Sequence, residues 1–495
     1  MDETDVVVVG GGGAGLAAAA AAASLGRRVV LVEKSHQLGG STAWSVGSIS
    51  ATNTPQQRHA GIVDHPDAHF EDLETLAGPM ANRDNRELRR LLVDNVTATM
   101  AWLEDVGLVF VGPNVEPPHR LPRMHNVVPN SRAFPAVLGR HCRRAGVDIR
   151  LGHLADRLLL ESGRVVGVSL KRGGRPAGAI RAKGAVVLAG GDFSASRELK
   201  ERLAGPATAS LEPVNPEATG DALRIALEVG AEVVNGDIVR GPIIRFVPPK
   251  RESLLRRLPP RRTLGLAMRW SLGHLPDTIR RSFAMSFLTT ALGPSKALFE
   301  AGAILVNAEG RRFVDELGRP SEAVAAQPGG LAYIVLDGRL SRHFRAWPNF
   351  VSTAPGVAYA YLGDYRRNRR DIFHEAPDVG GLARSLEVPV AELERSIAET
   401  RAGAGAERSL GEPPFIALGP VRSYVVFTDG GLRVTQQLEV MGRDGLPIGG
   451  LYAAGSTGQG GVLLEGHGHH LGWAFVSGRI AGRNAALQVG AALGP

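Results

Sequence analysis

The chain has 495 residues, of which 44% are hydrophobic and 21% are charged, and its net charge at pH 7 is +8. It can therefore bury large cores, and its length suggests two or three structural units. The single cysteine, Cys142, excludes an internal disulfide, a CxxC redox pair and a CxxCH haem site. The first strand starts too early to leave room for a signal peptide, and no apolar run is long enough to span a membrane. We therefore expect a cytoplasmic protein.

The N-terminal segment predicts half of a dinucleotide-binding unit. Val6–Val9 is typical of a strand buried on both faces, and it ends in a glycine-rich turn that opens a helix, Leu16–Leu25. Gly10 permits the tight turn, Gly12 lets the backbone approach a pyrophosphate, and Gly15 lets the helix pack closely on the strand.

A second buried strand, Val29–Val32, ends in Glu33, which is placed to accept hydrogen bonds from an adenosine ribose. An acid at this position favours an unphosphorylated ribose, as in FAD or NAD. Small residues and hydroxyls suited to a long, extended cofactor follow in the next loop: Gly39, Gly40, Ser41 and Thr42.

The middle of the chain alternates helices and short strands. Residues 86 to 107 carry apolar side chains at helical spacing, and residues 147 to 188 read as short strands separated by turns. Gly190 follows the last of these strands and predicts a second tight turn at the end of a strand. Asp221 stands at the start of a predicted helix, where its negative charge interacts favourably with the helix dipole. The stretch Pro118–Asn126 reads as a polar, solvated loop, and the alternative is that His125 faces the substrate.

The C-terminal part predicts a strand that ends in a glycine loop, Gly449–Gly461, and then a helix that starts near Leu471. Three histidines, His467, His469 and His470, lie just before this helix. They have no carboxylate or cysteine partner in a recognisable ligand pattern, so we expect no metal ion and predict polar contacts to substrate or cofactor instead.

Five short segments occur in a specific order along the chain. They are Glu33-Lys34, Gly39-Gly40-Ser41-Thr42, Thr219-Gly220-Asp221, Gly450-Leu451-Tyr452-Ala453-Ala454-Gly455 and Gly478-Arg479-Ile480-Ala481-Gly482. This ordered set resembles the fumarate reductase/succinate dehydrogenase flavoprotein superfamily, which also contains the 3-ketosteroid dehydrogenases. The resemblance implies an α/β fold: a Rossmann-like FAD-binding domain at residues 1–234 and 353–495, with an inserted α+β capping domain at residues 235–352.

The resemblance also implies FAD as the cofactor. No covalent bond is expected, because the early loop lacks the histidine that covalently flavinylated relatives carry beside its serine and threonine. Ser456 stands where many relatives have a glutamate near the ribityl chain, and the amides near Leu471 should point at the flavin pyrimidine edge, where the helix dipole stabilises negative charge. The residues expected to bind FAD are Gly10, Gly12, Gly13, Ala14, Gly15, Glu33, Lys34, Gly39, Gly40, Ser41, Thr42, Ala155, Gly190, Asp221, Gly455, Ser456 and Leu471.

Arg319 is the first catalytic candidate. It follows a segment that reads as two strands, residues 303–306 and 312–314, joined by a turn. In fumarate reductases an arginine at this place donates a proton to the substrate. An anion or carbonyl clamp is an equally good interpretation here, because the family's upstream acid and arginine fall on Lys296 and Phe299. His470 and Tyr424 are the other two catalytic candidates.

Val247, Phe427 and His470 replace two histidines and an arginine with which fumarate reductases hold the substrate carboxylates. A dicarboxylate would lose most of its charge-assisted hydrogen bonds. We therefore expect hydride transfer between flavin N5 and a carbon alpha or beta to the carbonyl of a bulky, mostly apolar ketone or enone, steroid-like or terpenoid-like, in either direction. The alternatives are a reductase of a small enoate that uses Arg319, a flavoprotein electron carrier, and a membrane-associated assembly factor.

Most of the positive charge lies between residues 240 and 281, where eleven arginines and lysines stand against Glu252 and Asp277. Interleaved leucines make this segment resemble a membrane-surface contact, and a solvated insertion that packs on its own cap or on another subunit is the alternative. No nucleic-acid motif is found. The expected partners are a small-molecule substrate and an external electron donor or acceptor, with no nucleic acid. A peripheral contact between residues 250–292 and the inner face of the membrane is an alternative to the solvated insertion.

Overall fold

A computed structural model of the chain describes residues 1–249, 257–275, 292–354, 358–403 and 408–489, together with Met285 and Thr289. The chain divides into two compact units. The first unit comprises Met1–Arg240, Leu258–Gly273 and Phe427–Pro495, and the second comprises Gly241–Arg257 and His274–Val426.

The second unit extends beyond the segment predicted as the capping domain, residues 235–352. It also contains residues 353–426, which the sequence placed in the return segment of the FAD-binding domain. The physical reason is the strand Phe415–Val425, because this strand pairs with Ala332–Leu336 and Phe373–Ala376 within the second unit.

A largely parallel sheet forms the centre of the first unit. Asp2–Val9 pairs in parallel with Val29–Glu33 on one side and with Arg175–Leu188 on the other. Asp148–Leu151 continues the sheet beyond Val29–Glu33, and Pro447–Ala453 pairs with Arg175–Leu188. The remaining strands of this unit are Ser48–Ser50, Val109–Asn114, Met124–Val128, Leu154–Glu161, Arg164–Arg172, Glu212–Pro213, Val233–Val234, Val239–Arg240, Phe427–Thr428, Gly431–Leu432 and Glu439–Met441.

Two helices pack on each other beside this sheet: the first helix, Gly13–Ser24, and the closing helix, His469–Leu487. A Cβ atom on Gly478 or Gly482 would lie 2.3 or 2.1 Å from a carbonyl oxygen of the first helix. The two backbones therefore touch, which only glycine permits. The other helices of this unit are Gly40–Trp44, Pro55–His59, Pro66–Ala77, the 3-10 helix Gly78–Arg83, Arg86–Asp105, Ala133–Arg144, Arg197–Ala204, Pro206–Ala209, Asp221–Glu228 and Arg262–His274.

The second unit is built on an antiparallel sheet. Phe415–Val425 pairs with Ile243–Phe246, Ala332–Leu336 and Phe373–Ala376, and Ile304–Asn307 pairs with Ala332–Leu336. The helices pack a separate hydrophobic core on this sheet. They are Lys296–Glu300, Pro320–Ala325, the 3-10 helix Pro328–Gly330, Gly338–His343, Leu362–Asn368, Val379–Leu386 and Val390–Gly403, and a small hairpin is formed by Ser352–Ala354 and Ala358–Ala360.

The strand predicted at residues 312–314 does not form. Arg312 makes a single bridge with Val306. Its guanidinium instead donates to the carboxylate of Glu316 at 3.0 and 2.6 Å, and that carboxylate also accepts from the backbone N–H of Leu305. These contacts hold the segment as a turn.

Only part of the basic segment lies among the described residues. Residues 257–275 include the helix Arg262–His274, whereas 250–256 and most of 276–291 lie outside the described residues. On this helix the side chains of Leu266 and Trp270 are 38% and 67% exposed. Throughout the described part of the chain, no helix combines the length and apolar character needed to cross a membrane.

Candidate active site

A cleft that is partly open to solvent lies in the first unit where the strands Asp2–Val9, Val29–Glu33 and Arg175–Leu188 end. Fourteen of the seventeen residues expected to bind FAD line it: Gly10, Gly12, Gly13, Ala14, Glu33, Lys34, Gly40, Ser41, Thr42, Ala155, Gly190, Asp221, Gly455 and Ser456. Ligands of open α/β sheets bind at this edge, outside the carboxyl ends of the strands.

The glycine turn needs glycine for two different reasons. Gly10 has φ +109°, and a Cβ atom there would lie 2.3 Å from the carbonyl oxygen of Ala189. A Cβ atom on Gly15, which does not itself line the cleft, would lie 1.9 Å from the carbonyl oxygen of Gly10. The first helix can therefore begin directly beside the strand, and the N–H groups of its first turn, which have no partner within the helix, face the cleft.

Glu33 is fixed by the backbone on both of its carboxylate oxygens. The N–H of Gly11 donates to Oε2 at 2.6 Å, and the N–H of Ser35 donates to Oε1 at 2.8 Å. Each carboxylate oxygen accepts more than one hydrogen bond, so both retain capacity for ribose hydroxyls. The acid is thus held in place before any ligand arrives.

Lys34 and Asp221 form an ion pair at the cleft, 2.8 Å from Nζ to Oδ2. Burial acts to raise the pKa of Asp221, but hydrogen bonds from Lys34 and Thr219 outweigh it and lower that pKa. Asp221 is the first residue of the helix Asp221–Glu228, as expected. Its partnership with Lys34 was not predicted, because the two residues lie far apart in the sequence.

The early loop is tied to the turn by its hydroxyl groups. Thr42 Oγ1 accepts from the N–H of Gly13 at 3.1 Å, and Ser41 Oγ accepts from Asn215 Nδ2 at 2.8 Å. Gly39 donates its N–H to the carbonyl oxygen of Gly11 at 2.9 Å, so it supports the turn without lining the cleft.

The far end of the cleft is formed by Gly455 and Ser456. The closing helix holds this loop from behind, because Ser477 Oγ accepts from the N–H of Gly455 at 2.9 Å and Trp473 Nε1 donates to the carbonyl oxygen of Gly455 at 3.2 Å. That helix begins at His469, two residues before the predicted start. Leu471 therefore lies within its first turn, buried and outside the cleft lining.

Several cleft residues were missed by the sequence analysis, among them His153, Asn215 and Glu217. His153 follows the strand Asp148–Leu151, which is parallel to Val29–Glu33 and ends at the same sheet edge. A residue directly after a strand that ends at this edge could have been predicted to line the cleft. Asn215 and Glu217 lie in an irregular segment that carries no such pattern.

The three catalytic candidates do not belong to one unit. Arg319 and Tyr424 are in the second unit and His470 is in the first. The Arg319 side chain is 83% exposed and lies 3.4 Å from Glu322. Tyr424 lies opposite Ile243 in the sheet, near Arg245, whose guanidinium pKa is lowered by burial. Arg245 is a partly buried cation that the sequence analysis did not select.

His470 lies against Phe427, with ring centroids 4.1 Å apart. Burial lowers the pKa of His470 to about 4, although the charge of Asp429 acts in the opposite direction. The buried Nε2 atom of this imidazole has no hydrogen-bond partner among the described residues.

A charge cluster lies beside this pair. Arg240 Nη2 is 2.5 Å from Asp429 Oδ2 and also contacts Glu465, and Gln459 donates to Asp429 at 3.0 Å. Burial raises the pKa of Glu465 despite the nearby Arg240 charge. The guanidinium of Arg240 is therefore shared between two carboxylates.

The prediction of a solvated loop at Pro118–Asn126 was wrong. The segment enters the strand Met124–Val128, and the side chains of His119, Arg123 and His125 are buried. Arg123 is held by Asp64 at 2.7 Å and also bonds Asp72, so its burial is compensated by two carboxylates from a distant segment.

A family model described as an FAD binding domain matches residues 5–242 and 277–464. A probable fumarate reductase of Shewanella frigidimarina is 24% identical over 93% of this chain and 71% of its own length. The vinyl phenol reductase of Lactiplantibacillus plantarum is 27% identical over 93% of this chain and 92% of its own length.

Solved structures agree in fold. The open conformation of a flavocytochrome c3 fumarate reductase has a TM-score of 0.74 at 24% identity, covering 99% of this chain and 79% of that chain. The 3-ketosteroid delta1-dehydrogenase of Sterolibacterium denitrificans has a TM-score of 0.65 at 19% identity, covering 98% of this chain and all of that chain.

The predicted cofactor and reaction class are confirmed by these comparisons: FAD is the cofactor, and the chain is an FAD-dependent oxidoreductase that acts on CH–CH groups. The residues of the cleft fit this cofactor, because a glycine turn, the open first turn of a helix and a fixed acid lie together in one unit. The matched residues span most of the sequence, and the chain belongs to the FAD binding domain family.

Proposed function

We propose that the protein reduces a carbon–carbon double bond in a small, conjugated substrate that carries at most one carboxylate. Its curated relatives include a probable fumarate reductase and a vinyl phenol reductase, and the latter is named for an uncharged alkene. When bound, FAD supplies the hydride for such a reduction.

The observation that carries this proposal is the contact between His470 and Phe427. The resemblance to fumarate reductases puts a carboxylate-binding arginine and histidine at these two positions. Here a phenyl ring packs on an imidazole 4.1 Å away, and burial lowers the pKa of that imidazole to about 4. His470 is therefore neutral at pH 7, and this part of the site favours a flat, apolar or aromatic group.

Arg240 does not replace the missing cation. Its guanidinium is shared by Asp429, whose side chain is 1% exposed, and Glu465. A substrate carboxylate would have to displace one of these carboxylates, which costs the charge-assisted hydrogen bonds already made.

The second unit contains two cations suited to a single carboxylate or carbonyl. Arg319 and Arg245 are the candidates for substrate binding, and Arg319 remains the candidate proton donor. Tyr424, near Arg245, is the alternative donor. Arg245 lies directly opposite Arg422 in the sheet, whereas its chain neighbours Ile244 and Phe246 face the core.

A bulky, steroid-like or terpenoid-like substrate receives less support than a small alkene. The 3-ketosteroid dehydrogenase shares the fold at 19% identity, whereas the relatives named above are reductases of small alkenes. Reduction rather than dehydrogenation is the direction that those names favour, with an external electron donor.

The substrate test separates the two half-reactions. The anaerobically reduced protein is mixed in stopped flow with a vinyl phenol, acrylate, fumarate or a steroid enone, and flavin reoxidation is followed by absorbance. We expect the best small alkene with no more than one carboxylate to react at least about 100-fold faster than fumarate, because the clamps replaced by Phe427 and His470, worth about 1.5–3 kcal/mol each, are missing together with the one replaced by Val247. Fumarate as the fastest acceptor, or no reaction with any alkene, would contradict the proposal.

His470→Arg sharpens this test, because it restores a cation at the proposed position. The rate at which fumarate reoxidises the reduced flavin should rise about 10-fold or more, which is the effect of one charge-assisted hydrogen bond. His467→Arg, three residues away, adds the same charge outside the Phe427 contact and should not produce this gain. An equal gain in both variants would show that overall charge, not His470, controls the substrate.

Non-covalent attachment of FAD is a further part of the proposal. Acid precipitation of the yellow protein should release the flavin into the supernatant, and a yellow pellet would contradict it.

Peripheral membrane contact is proposed for the helix Arg262–His274. Its exposed Leu266 and Trp270 are four residues apart, on one helical face, and Arg269 lies beside them. Binding to anionic vesicles should decrease steeply with added salt, since charges are screened beyond about 8 Å at physiological ionic strength. Unchanged vesicle binding after Leu266→Ser and Trp270→Ser would leave the helix as a solvated surface element.

A further inference from the structure

Three buried histidines from distant parts of the chain meet in the first unit. His69 lies on the helix Pro66–Ala77, His119 precedes the strand Met124–Val128, and His469 is the first residue of the closing helix. The side chains are 0%, 1% and 1% exposed, respectively. We call them the histidine triad.

Ring nitrogens of the triad converge on one point. One nitrogen from each ring lies within 4.8 Å of the other two, and His69 Nε2 is 3.0 Å from His469 Nε2. The three ring centroids are 5.6, 5.2 and 5.2 Å apart, which makes a nearly equilateral triangle.

These distances match a tetrahedral metal centre. A Zn–N bond of about 2.0–2.1 Å puts each imidazole centroid about 3.2 Å from the ion, so three ligand rings would be about 5.2 Å apart. The ligand nitrogens would then be about 3.3 Å from one another, which requires shifts below about 1 Å from the positions described here.

The outer ring nitrogens contact groups that orient two of the rings. His469 Nδ1 contacts the backbone carbonyl oxygen of Glu465, and His119 Nδ1 lies 3.6 Å from Asp72 Oδ2. A proton on His469 Nδ1, donated to the Glu465 carbonyl oxygen, leaves the Nε2 lone pair of that ring to face the centre. The same tautomer of His119 requires Nδ1 to donate to Asp72 in place of its 3.1 Å contact with Arg123 Nη1, which can only donate. This arrangement of imidazole with a carbonyl or carboxylate behind it is the usual support of metal-bound histidine.

A hydrogen bond between two imidazoles does not account for the third ring. It explains the 3.0 Å contact of His69 with His469, but the buried atoms His119 Nε2 and His69 Nδ1 then have no partner among the described residues. Burying a ring nitrogen without a partner is unfavourable, and a cation would satisfy His119 Nε2.

Charged groups of both signs surround the histidine triad, so they do not exclude a bound cation. Arg123 Nη1 lies 3.1 Å from His119 Nδ1, and after burial its charge contributes to lowering the pKa of all three histidines. The buried carboxylates of Asp64 and Asp72 compensate part of that charge. The carboxylate of Glu116, whose Oε2 atom is buried without a hydrogen bond, adds negative charge near His119.

We infer that His69, His119 and His469 bind a divalent transition-metal ion of the Zn²⁺ class, with water as the fourth ligand. Imidazole ligands suit Zn²⁺ and its transition-metal neighbours rather than Mg²⁺ or Ca²⁺. The ion joins the helix Pro66–Ala77 and the segment around His119 to the first turn of the closing helix, which holds Gly455 at the cleft. The inference does not depend on which alkene is the substrate.

Metal analysis of the FAD-loaded protein is the primary test. After incubation with one equivalent of Zn²⁺ and desalting, about one Zn²⁺ per chain should remain, and X-ray absorption at the zinc edge should report a nitrogen and oxygen shell at about 2.0 Å with imidazole scattering. The thermal unfolding midpoint should fall on chelation and recover with added Zn²⁺. Less than a tenth of an equivalent retained would overturn the inference.

Variants identify the ligands. His69→Gln and His119→Gln should each weaken Zn²⁺ binding at least 10–100-fold, the range known for changes in metal-supporting residues alone. His467→Gln is the matched control, since His467 pairs with Glu116 and lies two residues from His469 without belonging to the triad. Parental Zn²⁺ affinity in the triad variants would overturn the assignment. If those variants fail to fold, the absorption spectrum of the parent still decides it.

Discussion

The two units differ in whether backbone or side chains form their functional surfaces. In the first unit the cleft is made largely from backbone, because glycines let a helix begin within contact of a strand and Glu33 is held by two backbone N–H groups. In the second unit a hydrophobic core supports an antiparallel sheet, and the substrate contacts proposed for it are long side chains, Arg319 and Arg245.

This difference indicates which changes each unit tolerates. A site built from backbone fails when a side chain is added at a crowded glycine such as Gly10 or Gly15, whereas a site built from long cations changes gradually with charge and geometry. Substitutions of the crowded cleft glycines in the first unit should therefore remove the cofactor outright, and substitutions in the second unit should alter stability or substrate chemistry while FAD stays bound.

The largest effect is expected for Gly15→Val. A Cβ atom at this position would lie 1.9 Å from the carbonyl oxygen of Gly10, so the first helix cannot remain beside its strand. The purified protein should contain no FAD. Gly26→Ala is the control: its φ is +73° but nothing lies within 4 Å, so it should cost only about 1 kcal/mol and keep the flavin. Normal FAD content in Gly15→Val would refute the backbone account of the cleft.

A core substitution in the second unit should behave differently. Leu305 is fully buried in the sheet, and Leu305→Ala should lower the free energy of unfolding by about 3 kcal/mol. Urea titration monitored by circular dichroism measures this change, and the dissociation constant for FAD should stay within a few-fold of the parent value. Leu317→Ala, at a position of the same unit that is 37% exposed, should have a much smaller effect, about 0.5 kcal/mol. Loss of FAD in Leu305→Ala would contradict the prediction that FAD binding depends on the first unit alone.

Arg319 is predicted to affect only the substrate half-reaction. If it donates the proton, Arg319→Gln and Arg319→Lys should both slow that half-reaction about 100-fold, while flavin reoxidation by an artificial acceptor stays normal. If it only clamps an anion, Arg319→Lys should weaken substrate binding and preserve most of the rate at saturation. A rate for Arg319→Gln within a few-fold of the parent would exclude both roles and shift attention to Tyr424.

The smallest effect concerns acid stability. His125 is buried in the first unit, between Thr54 and the carbonyl oxygen of Arg123, and burial lowers its pKa to about 4. The unfolded chain gains a proton near its ordinary pKa of about 6.5, whereas the folded chain gains it only near 4. Stability is therefore present above pH 6.5 and is lost as the pH falls through this window, by about 2 kcal/mol between pH 7 and pH 5.

Unfolding by urea at both pH values measures this loss. His125→Gln should reduce the difference between pH 7 and pH 5, and His343→Gln, at an exposed position of the second unit, should leave it unchanged. An unchanged difference in His125→Gln would show that other groups control the acid response.

Local patterns predicted the cofactor side of the molecule well. The run of valines, the glycine turn and Glu33 all act within a few residues, so periodicity and turn chemistry were sufficient there. The early helix start at Gly13 and the later helix at His469 differ from prediction by only two or three residues.

Contacts between distant segments explain the failures. The segment around His125 was read as solvated because its arginine and histidines are polar, but Asp64 and Asp72 compensate Arg123 and allow burial. The histidine triad, the Arg240–Asp429 pair and the place of residues 353–426 in the second unit likewise depend on long-range pairing that no local pattern encodes.

The sheet of the first unit has a consequence for the order of events during synthesis. Its strand Pro447–Ala453 and the closing helix lie in the C-terminal part of the sequence, yet they pair with Arg175–Leu188 and touch the first helix. The strand Pro447–Ala453 and the closing helix must therefore leave the ribosome before the FAD cleft is complete. The core residues of the second unit all lie between Ile244 and Val421, so they can pack before the last strand of the first unit has been synthesised.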